Sequence, residues 1–170
     1  MELRDMIRNI PDFPEPGVMF RDITTLLKDP DGLEMAIDAI AESLKDVDYD
    51  LVLGPESRGF IFGVPLAYKM KKGFVPARKV GKLPSKTVKI SYKLEYGEAE
   101  LEIHQDAIFP GCKIVLVDDL LATGGTAKAA ANLVMELGAE VVGMVFLIEL
   151  AGMGGRELLD GYNVKSVLVY

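Results

Sequence analysis

The sequence is poor in the residues that form disulfides and transition-metal sites. Its 170 residues contain one cysteine, Cys112, one histidine, His104, and no tryptophan. A lone cysteine excludes an intrachain disulfide, and one cysteine with one histidine cannot supply a zinc ligand set. We expect Cys112 to begin a buried strand rather than to act as a nucleophile, and His104 to lie at the surface. The scarcity of cysteine favours a reducing, cytoplasmic setting.

Long hydrophobic runs are also missing. The longest apolar run extends from Val141 to Ile148, whereas a helix needs about 20 apolar residues to span a bilayer. The first residues mix charges with isolated apolar side chains and do not resemble a signal peptide. Neither a membrane partner nor export is therefore expected.

Positive charge is in deficit. The chain has 19 Lys and Arg against 26 Asp and Glu, a formal net charge of −7. An acidic chain repels nucleic-acid phosphates, so a nucleic-acid partner is not expected. Small anions can bind only where backbone amides and nearby cations overcome this field. The composition, 49% hydrophobic and 26% charged, is that of a globular domain.

Strand-like hydrophobic runs alternate with segments of helical spacing, which predicts a single α/β domain over 1–170 with a mostly parallel central sheet flanked by helices. An N-terminal segment, about 1–28, precedes the main part; it opens with one or two helical turns, and its prolines predict no regular structure until about Val18. Strands are predicted at 50–54, 73–78, 113–117, 141–148 and 164–169, and helices from Pro30 through Leu44, at 58–71, at 123–137 and at 156–159. Residues 87–104 predict an antiparallel hairpin, and the basic segment 79–86 a mobile loop.

The stretch Val115–Thr126 carries the strongest chemical signal. A hydrophobic strand delivers Asp118 and Asp119 to its carboxyl end, and a loop containing Gly124 and Gly125 leads into a helix. Free amides and the helix dipole make such a loop a phosphate site, while the two acids would grip hydroxyl groups or a metal. A sugar phosphate with a vicinal diol meets both demands. The alternative is that the acids only cap a loop.

This stretch resembles the phosphoribosyl-pyrophosphate signature of type I phosphoribosyltransferases. The resemblance implies that Asp118 and Asp119 bind the ribose 2′- and 3′-hydroxyls. It also implies that the 5′-phosphate is held by a loop consisting of Ala122, Thr123, Gly124, Gly125 and Thr126, and that Mg²⁺ accompanies the pyrophosphate, held mainly by the substrate. Two other glycine-rich segments do not match known phosphate-binding motifs. In one, Phe60 stands where a P-loop needs lysine. The other, Gly152–Gly155, lacks the last glycine of the dinucleotide-binding fingerprint and is predicted to be a flexible turn.

The segment Phe13–Ile23 is rich in proline and phenylalanine and could be a strap packed on the core. It resembles the base-binding hood of adenine phosphoribosyltransferases. By that resemblance Phe20 stacks on adenine, and the main chain of Met19 and Arg21 reads the edge of the base.

Two further segments match the same family. Gly54–Phe60 resembles its pyrophosphate loop, with Glu56, Ser57 and Arg58 as binding residues and a cis Glu56–Ser57 peptide bond; Glu56 stands where some members have aspartate. Residues 78–84 resemble a catalytic lid whose Arg78 and Lys82 reach pyrophosphate, although charge runs are often only solvated surface. In Ser91–Gly97, Glu95 is the candidate proton handler and Tyr96 a candidate lid contact, or else a cross-strand packing residue.

The resemblance implies transfer of a phosphoribosyl group from phosphoribosyl pyrophosphate to adenine, giving AMP and pyrophosphate, by a homodimer that uses Mg²⁺. Glu95, Arg58, Arg78 and Lys82 are the expected catalytic residues. Two alternatives remain at this point: an enzyme for another purine, and a non-catalytic regulator that senses phosphoribosyl pyrophosphate.

Overall fold

The computed structural model describes residues 2–94 and 97–170, which divide into two compact units, one ending at Ala39 and the other comprising Ile40–Tyr170. Within the described residues, no helix is both long and apolar enough to cross a membrane.

The N-terminal unit contains a small antiparallel hairpin. A 3-10 helix, Leu3–Met6, precedes strand β1, Arg8–Pro11, which pairs with β2, Met19–Asp22. The prolines interrupt regular structure between Pro11 and Met19, as predicted, whereas strand β1 was not predicted. Pro11 is tolerated because it ends a strand of a two-stranded sheet, where its missing N–H breaks no interior ladder.

Two helices complete this part of the chain. They are α1, Thr24–Leu27, and α2, Pro30–Ser43. The α2 helix begins where the sequence predicts, because Asp29 caps it: its Oδ1 accepts the Gly32 N–H at 3.0 Å.

The larger unit is built on a seven-stranded sheet with the order β5-β6-β4-β3-β7-β8-β9. The strands are β3, Leu51–Pro55; β4, Gly73–Lys79; β5, Thr87–Leu94; β6, Gly97–His104; β7, Lys113–Leu121; β8, Glu140–Glu149; and β9, Val164–Val169. The strands β4, β3, β7, β8 and β9 run parallel to one another. The β5–β6 hairpin pairs antiparallel with β4 through β6. The predicted mostly parallel sheet and hairpin are confirmed.

Three helices accompany this sheet: α3, Arg58–Met70; α4, Gly125–Glu136; and α5, Gly155–Leu158. The α3 helix packs on β3 and β7, and α4 packs on β5, β6 and β8. Ile114, Val115, Leu116 and Val117 are fully buried, as expected for a strand covered on both faces. Cys112 is buried just before β7. The carboxyl ends of β3 and β7 are thus held rigidly beside the starts of α3 and α4.

Asp22 should carry a measurable share of the stability. Its carboxylate accepts the Thr24 N–H at 2.9 Å and binds the Arg8 guanidinium, which lowers the pKa of Asp22 from 3.8 to about 2. A depressed pKa adds stability above the unfolded-state value and loses it as the pH falls through the folded-state value. Asp22→Asn should cost roughly 1 kcal/mol at neutral pH, and the deficit should narrow between about pH 4 and pH 2. Denaturant unfolding of both proteins at each pH measures the difference in unfolding free energy. A difference that does not change with pH would contradict the prediction.

Candidate active site

The acid pair lies inside β7 rather than after it. Pairing of β7 with β3 ends at Leu116, opposite Leu53, while pairing with β8 continues to Leu121. The prediction that the strand stops at Val117 is wrong, because β8 supplies hydrogen-bond partners that do not depend on apolar side chains. Asp118 and Asp119 consequently lie where β7 has left its pairing with β3 and is paired with β8.

The two carboxyl groups share one nearby cation. Asp119 is 4% exposed, and its Oδ2 lies 3.2 Å from Nε of Arg58. Asp118 Oδ1 accepts the Asp119 N–H at 2.8 Å. Burial, and then the charge of Asp119, raise the pKa of Asp118 well above its usual value. Burial also raises the pKa of Asp119, against the opposing effect of Arg58. The pair is therefore poorly neutralised and suited to hydroxyl donors or a cation.

The loop after β7 turns into α4 through a left-handed glycine. Gly124 has φ of 84° and immediately precedes α4, which begins at Gly125 rather than at the predicted Thr123. The first turn of a helix has N–H groups without intrahelical acceptors, and here they follow directly on the acid pair. Thr126 adds a hydroxyl, which lies 3.3 Å from the Tyr92 hydroxyl.

The predicted ribose and phosphate residues line one cavity. A cavity of about 180 Å³ is bounded by Arg58, the acid pair and every residue from Leu120 to Ala127, with Leu94 and Phe146 completing its wall. A second cavity, of about 640 Å³, shares Leu94 and Thr126 with it and is also lined by Glu56, Lys79 and Tyr92. The shared residues show that the two cavities adjoin. Sequence reasoning gave Tyr92, Lys79, Leu94 and Phe146 no role in the site.

The turn between β3 and α3 brings Arg58 to the acids. The Glu56–Ser57 peptide bond is cis, as predicted, and Phe13–Pro14 is a second cis bond that was not predicted. Ser57 occupies the N-cap position of α3, but its hydroxyl makes no capping hydrogen bond. A Cβ on Gly59 would lie 3.0 Å from the Val117 carbonyl oxygen and 3.2 Å from Asp118 Oδ1. Gly59 therefore permits the close approach of α3 to β7.

The predicted lid cations do not all reach this site. Glu56 Oε1 accepts the Lys79 N–H at 2.7 Å and lies 3.3 Å from Arg78 Nε, so Arg78 lies beside the Glu56–Ser57 turn. Lys82 is exposed and belongs to the wall of neither cavity. Whether this loop closes over a ligand stays a prediction.

A buried carboxylate fixes the base of the lid loop. Glu102 of β6 is 3% exposed, and its Oε1 accepts the N–H groups of Gly81 at 3.1 Å and Leu83 at 3.2 Å. Its Oε2 accepts the Thr87 hydroxyl at 3.1 Å. His104, predicted to be a surface residue, is half-buried and accepts the Ser85 N–H at 3.3 Å. Sequence analysis gave Glu102 no role, because one acid in an alternating strand gives no sign of being buried.

Glu95 and Tyr96 lie outside the described residues, so their predicted roles stay predictions. The candidate adenine residues lie in the N-terminal unit, on β2. Met19 is exposed, Phe20 packs edge-on against Phe13 with ring centroids 5.2 Å apart, and Arg21 Nη1 donates to Asn9 Oδ1 at 2.5 Å.

The acid pair and the glycine loop at the start of α4 both lie within the part of the chain that a family model assigns to the phosphoribosyltransferases. The family model described as phosphoribosyl transferase domain matches residues 23–168. The chain is 55% identical over 169 residues to the adenine phosphoribosyltransferase of Lachnoclostridium phytofermentans, covering 99% of this chain and 97% of that one.

Solved structures give the same result. The adenine phosphoribosyltransferase of Thermoanaerobacter pseudethanolicus is 50% identical and superposes with a TM-score of 0.96, covering 99% of this chain and 98% of that one. The Saccharomyces cerevisiae enzyme, solved with adenine and an imino-altritol bisphosphate, is 39% identical with a TM-score of 0.91, covering 98% and 96%. The chain belongs to the adenine phosphoribosyltransferase family.

The raised pKa of Asp118 predicts a trade between stability and catalysis. A carboxyl whose folded-state pKa is raised costs stability as the pH rises above its unfolded-state pKa, because the carboxyl ionises more readily in the unfolded chain than in the fold. Asp118→Asn keeps the Oδ1 acceptor and removes one charge. The variant should melt higher than the parent at neutral pH, should match it near about pH 3, and should turn over more slowly. A lower melting temperature at neutral pH would contradict the electrostatic description.

Proposed function

We propose that this chain transfers the 5-phosphoribosyl group of phosphoribosyl pyrophosphate to adenine, yielding AMP and pyrophosphate in purine salvage. The observation that carries the proposal is the Asp118–Asp119 pair, of which Asp119 is buried and Asp118 half-buried. Asp119 faces Arg58, and the glycine loop before α4 lines the same cavity. A ligand that satisfies both parts needs a diol beside a phosphate, as ribose 5-phosphate has.

In this proposal the acid pair orients the ribose. Carboxylates that are buried and poorly neutralised form strong, charge-assisted hydrogen bonds with hydroxyl donors. Asp118 and Asp119 accept the 2′- and 3′-hydroxyls, while the amides and hydroxyls of the loop Ala122–Thr126 hold the 5′-phosphate. With both ends fixed, the anomeric carbon has a single orientation toward the incoming base.

The other side of the reaction centre receives the leaving group. Ser57 has a hydroxyl not used for capping, and Arg58 lies at the start of α3, where helix amides also favour an anion. Arg78, held beside Glu56, and Lys82 add positive charge once the lid approaches. Glu95 and Tyr96 are assigned by family resemblance, as a proton handler at the purine and a pyrophosphate contact.

Magnesium fits the chemistry of this site. Among the described residues, no group of three or more His, Cys, Asp or Glu is arranged to hold a metal ion. In the proposal the substrate supplies most of the Mg²⁺ ligands. The raised pKa values of Asp118 and Asp119 indicate unneutralised charge that such an ion would offset. Bound Mg²⁺ would lower the negative charge of the departing pyrophosphate.

The reaction exchanges one bond for another at the anomeric carbon. The carbon–oxygen bond to pyrophosphate breaks with its electron pair leaving on oxygen, a nitrogen of adenine supplies the new pair, and the base loses its proton. Positive charge develops on the ribose ring in the transition state, and the adjacent carboxylates stabilise it. A closed lid would exclude water, which would otherwise hydrolyse the activated sugar.

Adenine recognition is assigned to Met19, Phe20 and Arg21. The support is the exposed Met19 and the aromatic Phe13–Phe20 pair on the β2 hairpin, together with the adenine present in the yeast relative's structure. Main-chain groups that pair with an exocyclic amine reject a carbonyl at the same position, because both acceptors would be left unpaired.

Adenine should be used at least about 100-fold more efficiently than hypoxanthine or guanine, measured as kcat/KM. A coupled assay of AMP or nucleotide formation with each base measures this, and Asp119→Asn prepared identically controls for contaminating enzyme. Comparable turnover of hypoxanthine would contradict the assignment, and no nucleotide product with any base would indicate a non-catalytic role.

We propose a homodimer, in a cytoplasmic setting. The outer face of α3 exposes Val64 by 48% and Tyr68 by 87%, one helical turn apart on the helix that begins at Arg58. A second copy of the chain covering this face would bury apolar surface next to the site.

Light scattering should give about twice the chain mass of 18.6 kDa. Tyr68→Glu places a charge on the proposed contact and should shift the mass toward the monomer, while Lys45→Glu on an exposed surface position should not. A monomeric parent protein would contradict the dimer.

A further inference from the structure

A buried acid at the end of β8 holds the short helix α5. The side chain of Glu149 is 9% exposed, and its two oxygens receive a fork from Arg156, with Nε 2.9 Å from Oε1 and Nη2 2.5 Å from Oε2. Ser166 of β9 donates its hydroxyl to Oε2 at 2.6 Å. We call Glu149, Arg156 and Ser166 the Arg156 clamp.

The clamp also reaches the backbone of β9. Arg156 Nη1 donates to the Val164 carbonyl at 3.0 Å, so one side chain ties α5 to two strands. The Arg156 hydrogen bonds lower the pKa of Glu149 despite its burial, which keeps the carboxylate ionised and the fork intact at neutral pH. The position of α5 is therefore set by charge and geometry, since a four-residue helix has little stability of its own.

Gly155, the residue before Arg156, packs against the loop Ala122–Thr126, to which the proposed function assigns the 5′-phosphate. A Cβ on Gly155 would lie 2.3 Å from the Ala122 carbonyl oxygen, and a Cβ on Gly124 would lie 3.0 Å from the Gly155 oxygen. The backbone of α5 thus forms a floor beneath the loop. The prediction that Gly152–Gly155 is only a flexible turn is wrong for Gly155, which is buried and leaves no room for a side chain.

We infer that the Arg156 clamp is a positioning device for the 5′-phosphate: it fixes α5, and α5 fixes the loop Ala122–Gly125 in the shape that receives the phosphate. None of its three side chains lines the cavity, so the clamp acts through Gly155. The inference rests on the proposed function, because it assigns the 5′-phosphate to this loop.

A purely structural clamp would make a different prediction. If the clamp served only to join α5 to the edge of the sheet, its loss would lower the melting temperature and would weaken the binding of all ligands to the same extent. Loss of a positioning clamp should weaken the binding of ligands that carry a 5′-phosphate and leave pyrophosphate binding unchanged. Ser57 lies in the turn between β3 and α3, and Arg58 begins α3; the clamp contacts neither residue.

The test measures AMP and magnesium pyrophosphate binding separately, by calorimetry, on the full-length chain. Arg156→Lys keeps the charge and removes the fork; Glu149→Gln keeps the shape and removes the charge. Each substitution should weaken AMP binding on the order of 10- to 100-fold. The affinity for pyrophosphate should stay within about twofold of the parent's. Ser166→Ala, which leaves the Glu149–Arg156 fork in place, should have a smaller effect in the same direction.

Lys165→Gln is the matched control. Lys165 is the neighbour of Ser166 on β9 but donates to the Ser43 carbonyl at 2.7 Å, away from the clamp, so this variant should bind AMP as the parent does. Circular dichroism and melting curves establish that each variant is folded. Equal losses for AMP and pyrophosphate, or unchanged AMP affinity in folded Arg156→Lys, would overturn the inference. A parent protein that does not bind AMP would overturn the proposed function and the inference with it.

Discussion

The placement of two adjacent carboxylates, one buried and one half-buried, beside the guanidinium of Arg58 is the constraint on which the rest of the site depends. Asp119 meets Arg58 at 3.2 Å, and Asp118 has only weak compensation. Such a pair persists because its surroundings are rigid: β8 continues the ladder past the acids, and Gly59 lets α3 approach within contact of Asp118. The fold therefore accepts an electrostatic cost that a correctly charged ligand relieves.

The same geometry suits the proposed binding of polyanions by an acidic chain. Among the described residues that line the smaller cavity, the negative side chains are those of the acid pair. The proposed anion sites use amides at the starts of α3 and α4, whose positive character does not change with the net charge of the surface. The groups proposed to bind hydroxyls and phosphate follow one another along one strand, loop and helix. Their spacing is fixed by the backbone and is little affected by side-chain motion.

Contiguity in the chain decided what the sequence could predict. The acid pair, the glycine loop and the Glu56–Arg58 turn are each local, so their roles could be inferred from neighbouring residues and family resemblance. Glu102 and Glu149 gave no such sign, because the donors that satisfy them come from other strands and loops. The β1–β2 hairpin was missed because Pro11 argues against a strand unless its edge position is known, and that position is a property of the sheet.

The hydrogen bonds of the Glu102 carboxylate join the lid loop to the β5–β6 hairpin, so that the two should move together. Pulling the loop from β6 would leave a buried charge without the amides of Gly81 and Leu83, which is costly. The hairpin is paired along its whole length, whereas β6 meets β4 only at Arg78 and Lys79. If this loop closes over the cavities, we therefore expect the sheet to bend where β4 pairs with β6. Both hairpin strands would then move with the loop, and Gly81 would not act as the hinge.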